Sequence, residues 1–208
     1  MRRSCITIDR QYGSGGREVG RILSRKLGIP FYDGELLLLA AERFGINPGL
    51  LKERDERRSG SLLHDIAIFA NSMQNFGQMF EPYQMFEAVS ATISRLAMEG
   101  PGIFMGRCAD TVLKDVCNSL NLFIYASSME ERIRRIHTAD QIPMKNIESY
   151  IRKKDQQRRD YYKMFAEKDW GKMENYDMCL NTTAFGYEGC ADIIAGMAER
   201  SAVGRKKE

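Results

Sequence analysis

The chain has 208 residues, of which 43% are apolar and 28% charged, the balance of a globular domain rather than a disordered segment. Lys and Arg number 31 against 28 Asp and Glu, and a net charge of +3 is too small to predict binding to duplex nucleic acid. No apolar run reaches bilayer length, so neither nucleic acid nor a membrane is an expected partner.

Other classes fall away on composition. The longest apolar run, Leu36 to Ala41, is flanked by Glu35 and Glu42. The N-terminal Met1-Arg2-Arg3-Ser4 leads into a strand that turns polar at Asp9, with no h-region of a signal peptide, so a cytoplasmic protein is expected. Five cysteines, Cys5, Cys108, Cys117, Cys179 and Cys190, contain no CxxC pair and are odd in number, which reads as reduced thiols. His64 and His137 have no nearby cysteine to complete a zinc ligand pattern.

The elements then follow in order. Cys5 to Ile8 reads as a strand, and Gln11-Tyr12-Gly13-Ser14-Gly15-Gly16 follows it at once. Val19, Ile22, Leu23 and Leu27 fall on one helical face, with Gly28 and Pro30 ending that helix. Phe31-Tyr32 is a second short strand, and a helix is expected from Glu35 to about Phe44. From about 46 to 85 the chain turns charged and then rich in Phe, Met, Asn and Gln, which fits an insertion outside the main layer. Its aromatic and Met-rich end, Phe69 to Phe86, suits closure over a base, a packing surface or a homodimer contact. Phe86, Val89, Ile93, Leu96 and Ala97 mark a helix, Gly102 to Met105 a strand, and a helix to about Val116 follows. Leu120 to Tyr125 is the next strand, and Ser127 or Ser128 can cap the helix that carries Arg132, Arg134 and Arg135. A long polar helix from Ile147 to about Phe165, a strand from Asp177 to Leu180 and a closing helix with Cys190, Ile193, Ile194 and Met197 complete the pattern. Strand and helix alternation predicts an α/β fold with a central parallel sheet of about five strands, a single domain over 1–203 and a basic tail over 204–208.

The chemistry concentrates at the first turn. Gly13-Ser14-Gly15-Gly16 between a strand and a helix can turn backbone N–H groups toward one anion, where the helix dipole is also positive. A tight turn without a ligand is the plainer alternative. The standard phosphate-loop pattern carries Lys after its last Gly. This chain has Gly16 there, so another cation is needed. Arg10 and Arg17 flank the loop and are the substitutes nearest in sequence. Glu18 can reach Mg²⁺, or simply complement the helix dipole.

The stretch Ile6 to Arg17 resembles the start of cytidylate kinases, and more closely that of the cytidylate-kinase-like family of bacterial proteins. Phe31-Tyr32-Asp33-Gly34 is similar to that family's turn after the second strand, and Gly106-Arg107 to its Gly-Arg segment. Ala126-Ser127-Ser128 with Arg134-Arg135 is similar to the approach to the lid, and Asp155 with Arg158-Arg159 to its far side. Asn181-Thr182 resembles the turn before the last helix. The resemblance implies a three-layer P-loop kinase fold with an inserted acceptor-binding region and a lid over about 134–168. It implies ATP and Mg²⁺ as cofactors and a nucleotide or small phosphorylated substrate. Phosphate would be held at Gly13, Ser14, Gly15, Gly16 and Arg17, and the acceptor at Asp33 and Arg107. Arg10, Arg17, Arg134, Arg135, Arg158 and Arg159 would supply the charge that transfer requires. Cys108 stands where true cytidylate kinases carry an Asp that helps to read cytosine. The expected activity is transfer of the ATP γ-phosphoryl group to a nucleoside monophosphate. The alternatives are a nucleotide- or anion-binding protein without transfer, or a kinase of another metabolite.

Overall fold

In a computed structural model, which describes residues 4–33, 82–140 and 146–204, strand β1 (Ser4–Arg10) is the middle of a five-stranded sheet. The others are β2 (Phe31–Tyr32), β3 (Ile103–Met105), β4 (Asn118–Tyr125) and β5 (Met178–Asn181). Their order is β2-β3-β1-β4-β5, and every pairing is parallel. A parallel sheet is covered on both faces, so its strands need apolar side chains on both. Ile6, Ile8, Ile103 and Met105 pack on one side, and Cys5 and Phe104 on the other.

Helices form the two outer layers. Helix α1 (Gly16–Leu27) and helix α6 (Thr182–Gly204) cover the first face, where Val19, Leu23, Ala191 and Ile194 are buried against the strands. Helix α2 (Pro82–Glu99), the short helix α3 (Ala109–Val112) and helix α5 (Ile147–Ala166) cover the second, through Val89, Ile93, Ala109, Tyr161 and Tyr162. Helix α4 (Met129–Asp140) packs Ile136 against Ile147 and Ile151 of α5, with Tyr12 of the glycine loop beside them.

Several boundaries differ from the sequence pattern for local reasons. Strand β1 runs two residues beyond Ile8, because Asp9 and Arg10 remain in register with Phe123 and Ile124 of β4. The regular helix after β3 stops at Val112, and Leu113 to Val116 continues as turns that lead into a β4 starting at Asn118. Strand β5 starts at Met178 rather than Asp177, whose carboxylate instead accepts a bond from the Asn121 N–H at 2.8 Å. Ser128 rather than Ser127 caps α4, accepting a bond from the Glu131 N–H at 3.3 Å. Gly28 ends α1 in the left-handed conformation that its position suggests. Helix α2 begins at Pro82, where a residue without an N–H costs nothing. The expected helix from Glu35 to Phe44, residues 46–81 of the expected insertion and residues 205–208 of the tail lie outside the described residues.

The carboxyl ends of β1, β2 and β3 all open on one edge, and the chain order reverses around β1. In open α/β sheets that edge is where ligands bind. The two-sided packing also makes the central strands sensitive. Ile124 is fully buried, and Ile124→Ala is expected to cost about 2–5 kcal/mol in chemical unfolding, against about 0.5–1.5 for Ile124→Val.

Candidate functional site

The loop from Gln11 to Gly15 is shaped by two left-handed glycines, Gly13 with φ 80° and Gly15 with φ 82°. Space is as restrictive as dihedral angle. A β-carbon on Gly13 would stand 2.8 Å from Ile136 Cδ1 and 3.0 Å from the Arg132 carbonyl oxygen, and one on Gly15 would run into the Tyr187 ring. The Ser14 hydroxyl is buried within 2.9 Å of the Gln11 carbonyl and 3.1 Å of the Ile124 carbonyl. The Thr182 hydroxyl reaches the Ser14 carbonyl at 2.7 Å. The loop is thus fastened to β4 and to the start of α6, and it delivers the chain into α1 with the N–H groups of the first turn unused by the helix.

A second set of contacts holds the loop from α4 and α5. Asp155 accepts a bond from the Tyr12 N–H at 2.8 Å through Oδ1 and pairs with Arg132 Nη2 through Oδ2. Arg132 Nε donates to the Tyr12 carbonyl at 2.7 Å. Arg158 Nη1 donates to the Arg10 carbonyl at 2.7 Å, and its guanidinium carbon lies 5.4 Å from the Tyr12 ring centroid. Burial, then the neighbouring Arg10 charge, push Arg158 down to about 9, which still leaves it charged at pH 7.

Charges gather at the carboxyl ends of β1 and β2. Arg17 Nε lies 2.5 Å from Asp33 Oδ2, and Arg10 Nη2 lies 3.5 Å from Oδ1. Burial alone would raise the Asp33 carboxyl, but the charges of Arg10, Arg17 and Arg107 outweigh it and hold the group below the ordinary carboxylate value. Arg107 belongs to a run of three left-handed residues, with φ 66° at Gly106, 61° at Arg107 and 55° at Cys108. Non-glycine residues occupy that region at a cost, and such strain concentrates at binding sites. Cys108 is buried, and burial with the nearby Asp9 and Asp110 charges raises its thiol well above the usual range.

The six arginines expected to supply charge fall into two groups. Arg10, Arg17, Arg135 and Arg158 border the loop, Arg135 through a 2.6 Å pair with Glu18 in the first turn of α1. Arg134 is exposed and pairs with Glu131 at 3.0 Å, while Arg159 bonds Gln156 at 3.2 Å on the outer side of α5. Glu18 gives one carboxylate oxygen to Arg135, and its other, Oε2, is buried without a hydrogen-bond partner. That oxygen suits Mg²⁺, which takes one or two carboxylates and completes its shell with water and phosphate oxygens. Among the described residues no cluster of three or more His, Cys, Asp or Glu could hold a metal by itself.

Two groups were not singled out by sequence. Arg132 carries the same residue type as its neighbours, and only its position one turn before buried Ile136 marks it as facing inward. Asp9 is the penultimate residue of β1, and its Oδ2 accepts a bond from the Tyr176 hydroxyl at 3.3 Å. Burial raises its carboxyl, the Arg10 charge opposes this, and the Asp110 charge adds to it. Asp110 in turn accepts a 2.6 Å bond from the Tyr162 hydroxyl.

A glycine loop between the central strand and the first helix of a five-stranded parallel sheet, with this strand order, defines a P-loop kinase fold. The chain belongs to the cytidylate kinase-like family, whose model matches residues 5–184. Among solved structures it is similar to an uncharacterized protein from Eubacterium ventriosum, at 22% identity and a TM-score of 0.67 over 94% of this chain and 98% of that one. A gluconokinase from Sinorhizobium meliloti matches at 14% identity and a TM-score of 0.56, over 98% of each chain. A shikimate kinase from Acinetobacter baumannii, in complex with shikimate, matches at 14% identity and 0.52, over 99% of this chain and 97% of that one. No curated protein matches the chain in sequence. Among the described residues no helix is long and apolar enough to cross a membrane.

Two stability measurements check these contacts. Asp155→Ala removes one partner of a buried pair and frees the Tyr12 peptide, so it is expected to cost about 3–5 kcal/mol in denaturant unfolding. Asp9 has the opposite sign. A carboxyl with a raised folded-state pKa supports the fold while protonated, and that support is lost as pH rises through the raised value. Asp9→Asn is therefore expected to raise Tm at pH 7.5 and to leave it close to the parent's near pH 4.

Proposed function

We propose that this chain is a phosphotransferase that moves the γ-phosphoryl group of ATP to a small acceptor, with a nucleoside monophosphate the first acceptor class. The observation that carries this reading is one edge of the sheet. There the glycine loop opens α1, and Arg10 and Arg17 meet on Asp33 with the Arg107 charge beside them. Membership of the cytidylate kinase-like family supports it.

The N–H groups from Gly13 to Arg17 hold the donor phosphates, as a loop before a helix N-terminus can. Mg²⁺ at the unpaired Oε2 of Glu18 would neutralise charge on the donor, with Arg135 holding the other carboxylate oxygen. Arg17, Arg10 and Arg107 face the transferring group and the acceptor, where positioning and neutralisation do most of the work. The transferred phosphorus loses its bond to the bridging oxygen of ADP and gains one to the acceptor oxygen. Arg158 and Asp155 act one step back, keeping the loop in shape. A buried thiol at Cys108 supplies no carboxylate to a cytosine, which favours an acceptor recognised by its anion more than by its base.

Gly16 in the lysine position favours a second reading, a nucleotide-binding protein without transfer. A single-turnover assay with ATP labelled in its γ-phosphate decides between them, run against nucleoside monophosphates, sugar acids and polyols. Transfer to a monophosphate supports the first reading. Transfer only to a sugar acid or polyol moves the acceptor to a non-nucleotide metabolite. Tight ATP binding with no transfer to any acceptor leaves the binding protein. In an active parent, Arg17→Ala is expected to slow transfer roughly ten- to hundredfold, the worth of one charge-assisted contact of about 1.5–3 kcal/mol. Arg17→Lys is expected to recover only part of it, because a point charge does not reproduce a fork.

A further inference from the structure

Gly16 stands where a standard phosphate loop carries its lysine, and its own backbone does not require glycine. Gly13 and Gly15 have positive φ, whereas Gly16 is the first residue of α1 and is not among the positive-φ glycines. What excludes a side chain there is residue 10. A β-carbon on Gly16 would stand 2.7 Å from Arg10 Cβ and 2.9 Å from Arg10 Cγ, with Ile124 Cβ at 3.4 Å. The stem of Arg10 fills the volume that any side chain at position 16 would need.

The standard pattern, G-x-x-x-x-G-K, has the reverse arrangement over the same seven positions. Its first residue is the glycine and its seventh is the lysine. Here the first is Arg10 and the seventh is Gly16. One of the two carries a long cation and the other must be bare.

The path of Arg10 shows where its charge ends. From the stem over Gly16 the side chain runs toward β3, and Nη1 lies 2.6 Å from where a β-carbon of Gly106 would be. Nη2 lies 3.5 Å from Asp33 Oδ1, and the side chain is only 18% exposed. Gly106, with φ 66°, has no side chain to block the guanidinium. The cation therefore sits between the loop and the residues at the ends of β2 and β3.

We infer that Arg10 and Gly16 are a single exchanged pair. The loop cation has moved from the start of α1 to the end of β1, and its charge is delivered from the acceptor side of the transferring phosphoryl group. Its catalytic half rests on the phosphotransferase reading, and its steric half does not.

A double-mutant cycle separates the two halves. Gly16→Ala adds only the β-carbon, and in the parent it is expected to lower Tm by about 2–12 °C through overpacking. In an Arg10→Gly background the same change is expected to leave Tm unchanged or raise it, as Ala is the better helix former. Additive effects on Tm would overturn the exchange. For the catalytic half, Arg10→Gly is expected to slow transfer roughly tenfold or more, and Arg10→Gly with Gly16→Lys to regain most of that loss. Gly16→Lys alone is expected to lower both Tm and ATP affinity. A double variant no faster than Arg10→Gly would overturn delivery by Arg10. A parent that transfers to no acceptor would defeat the phosphotransferase reading instead, while the Tm cycle still decides whether the pair is exchanged.

Discussion

Everything at the loop depends on how the peptide of Tyr12 is held. Its N–H and its carbonyl are both taken by one buried ion pair, the first by Asp155 and the second by Arg132. Buried pairs stabilise only when their remaining donors and acceptors are met, because both ions have left water. Here the main chain meets them, so the pair and the loop complete each other. Gly13 makes the approach possible, since the Arg132 carbonyl would lie 3.0 Å from any β-carbon there. The loop is consequently shaped before any ligand arrives, and little ordering remains to be done on binding.

Against that fixed loop, the adjacent sheet edge carries most of the local costs. Three consecutive left-handed residues, a carboxylate among arginines and a carboxyl raised by burial all lie at the ends of β1, β2 and β3. Only the Cys108 side chain among them belongs to the core, which the apolar faces of the sheet and their helices otherwise close. A fold keeps such features where the arrangement is used, and stability is traded for it.

The layers were legible from sequence because burial on both faces writes itself as short apolar runs between amphipathic helices. Cys5 to Ile8, Ile103 to Met105 and Leu120 to Tyr125 each lie within a strand, and the helical face of Val19 and Leu23 is the buried one. The arginines were harder, because adjacent pairs look equivalent in one dimension. Helical phase separates them. Arg132, Arg135 and buried Ile136 share the side of α4 toward the loop and α1, whereas Arg134 is exposed. On α5, Ile151, Lys154, Asp155 and Tyr162 are buried, and Arg158 keeps their face while Arg159 leaves it. Strand ends were less readable, since Asp9 and Arg10 are polar residues kept in the sheet by pairing with β4. Sequence placed Gly16 in the loop but not the reason it must lack a side chain, which depends on a contact six residues back that only the folded turn creates.

The chain contains a single tryptophan. Trp170 sits edge-on to Phe123 with ring centroids 5.2 Å apart, and the Arg159 guanidinium carbon lies 5.7 Å from its ring. Phe123 is the β4 residue in register with Asp9, so the indole lies close to the foot of the loop. Its emission therefore comes from one place, between the Phe123 ring of β4 and Arg159 of α5. A shift of α5 against the sheet changes the distance to Arg159 and so the charge that faces the indole ring. The protein thus carries its own optical gauge of how its long helix sits on the sheet.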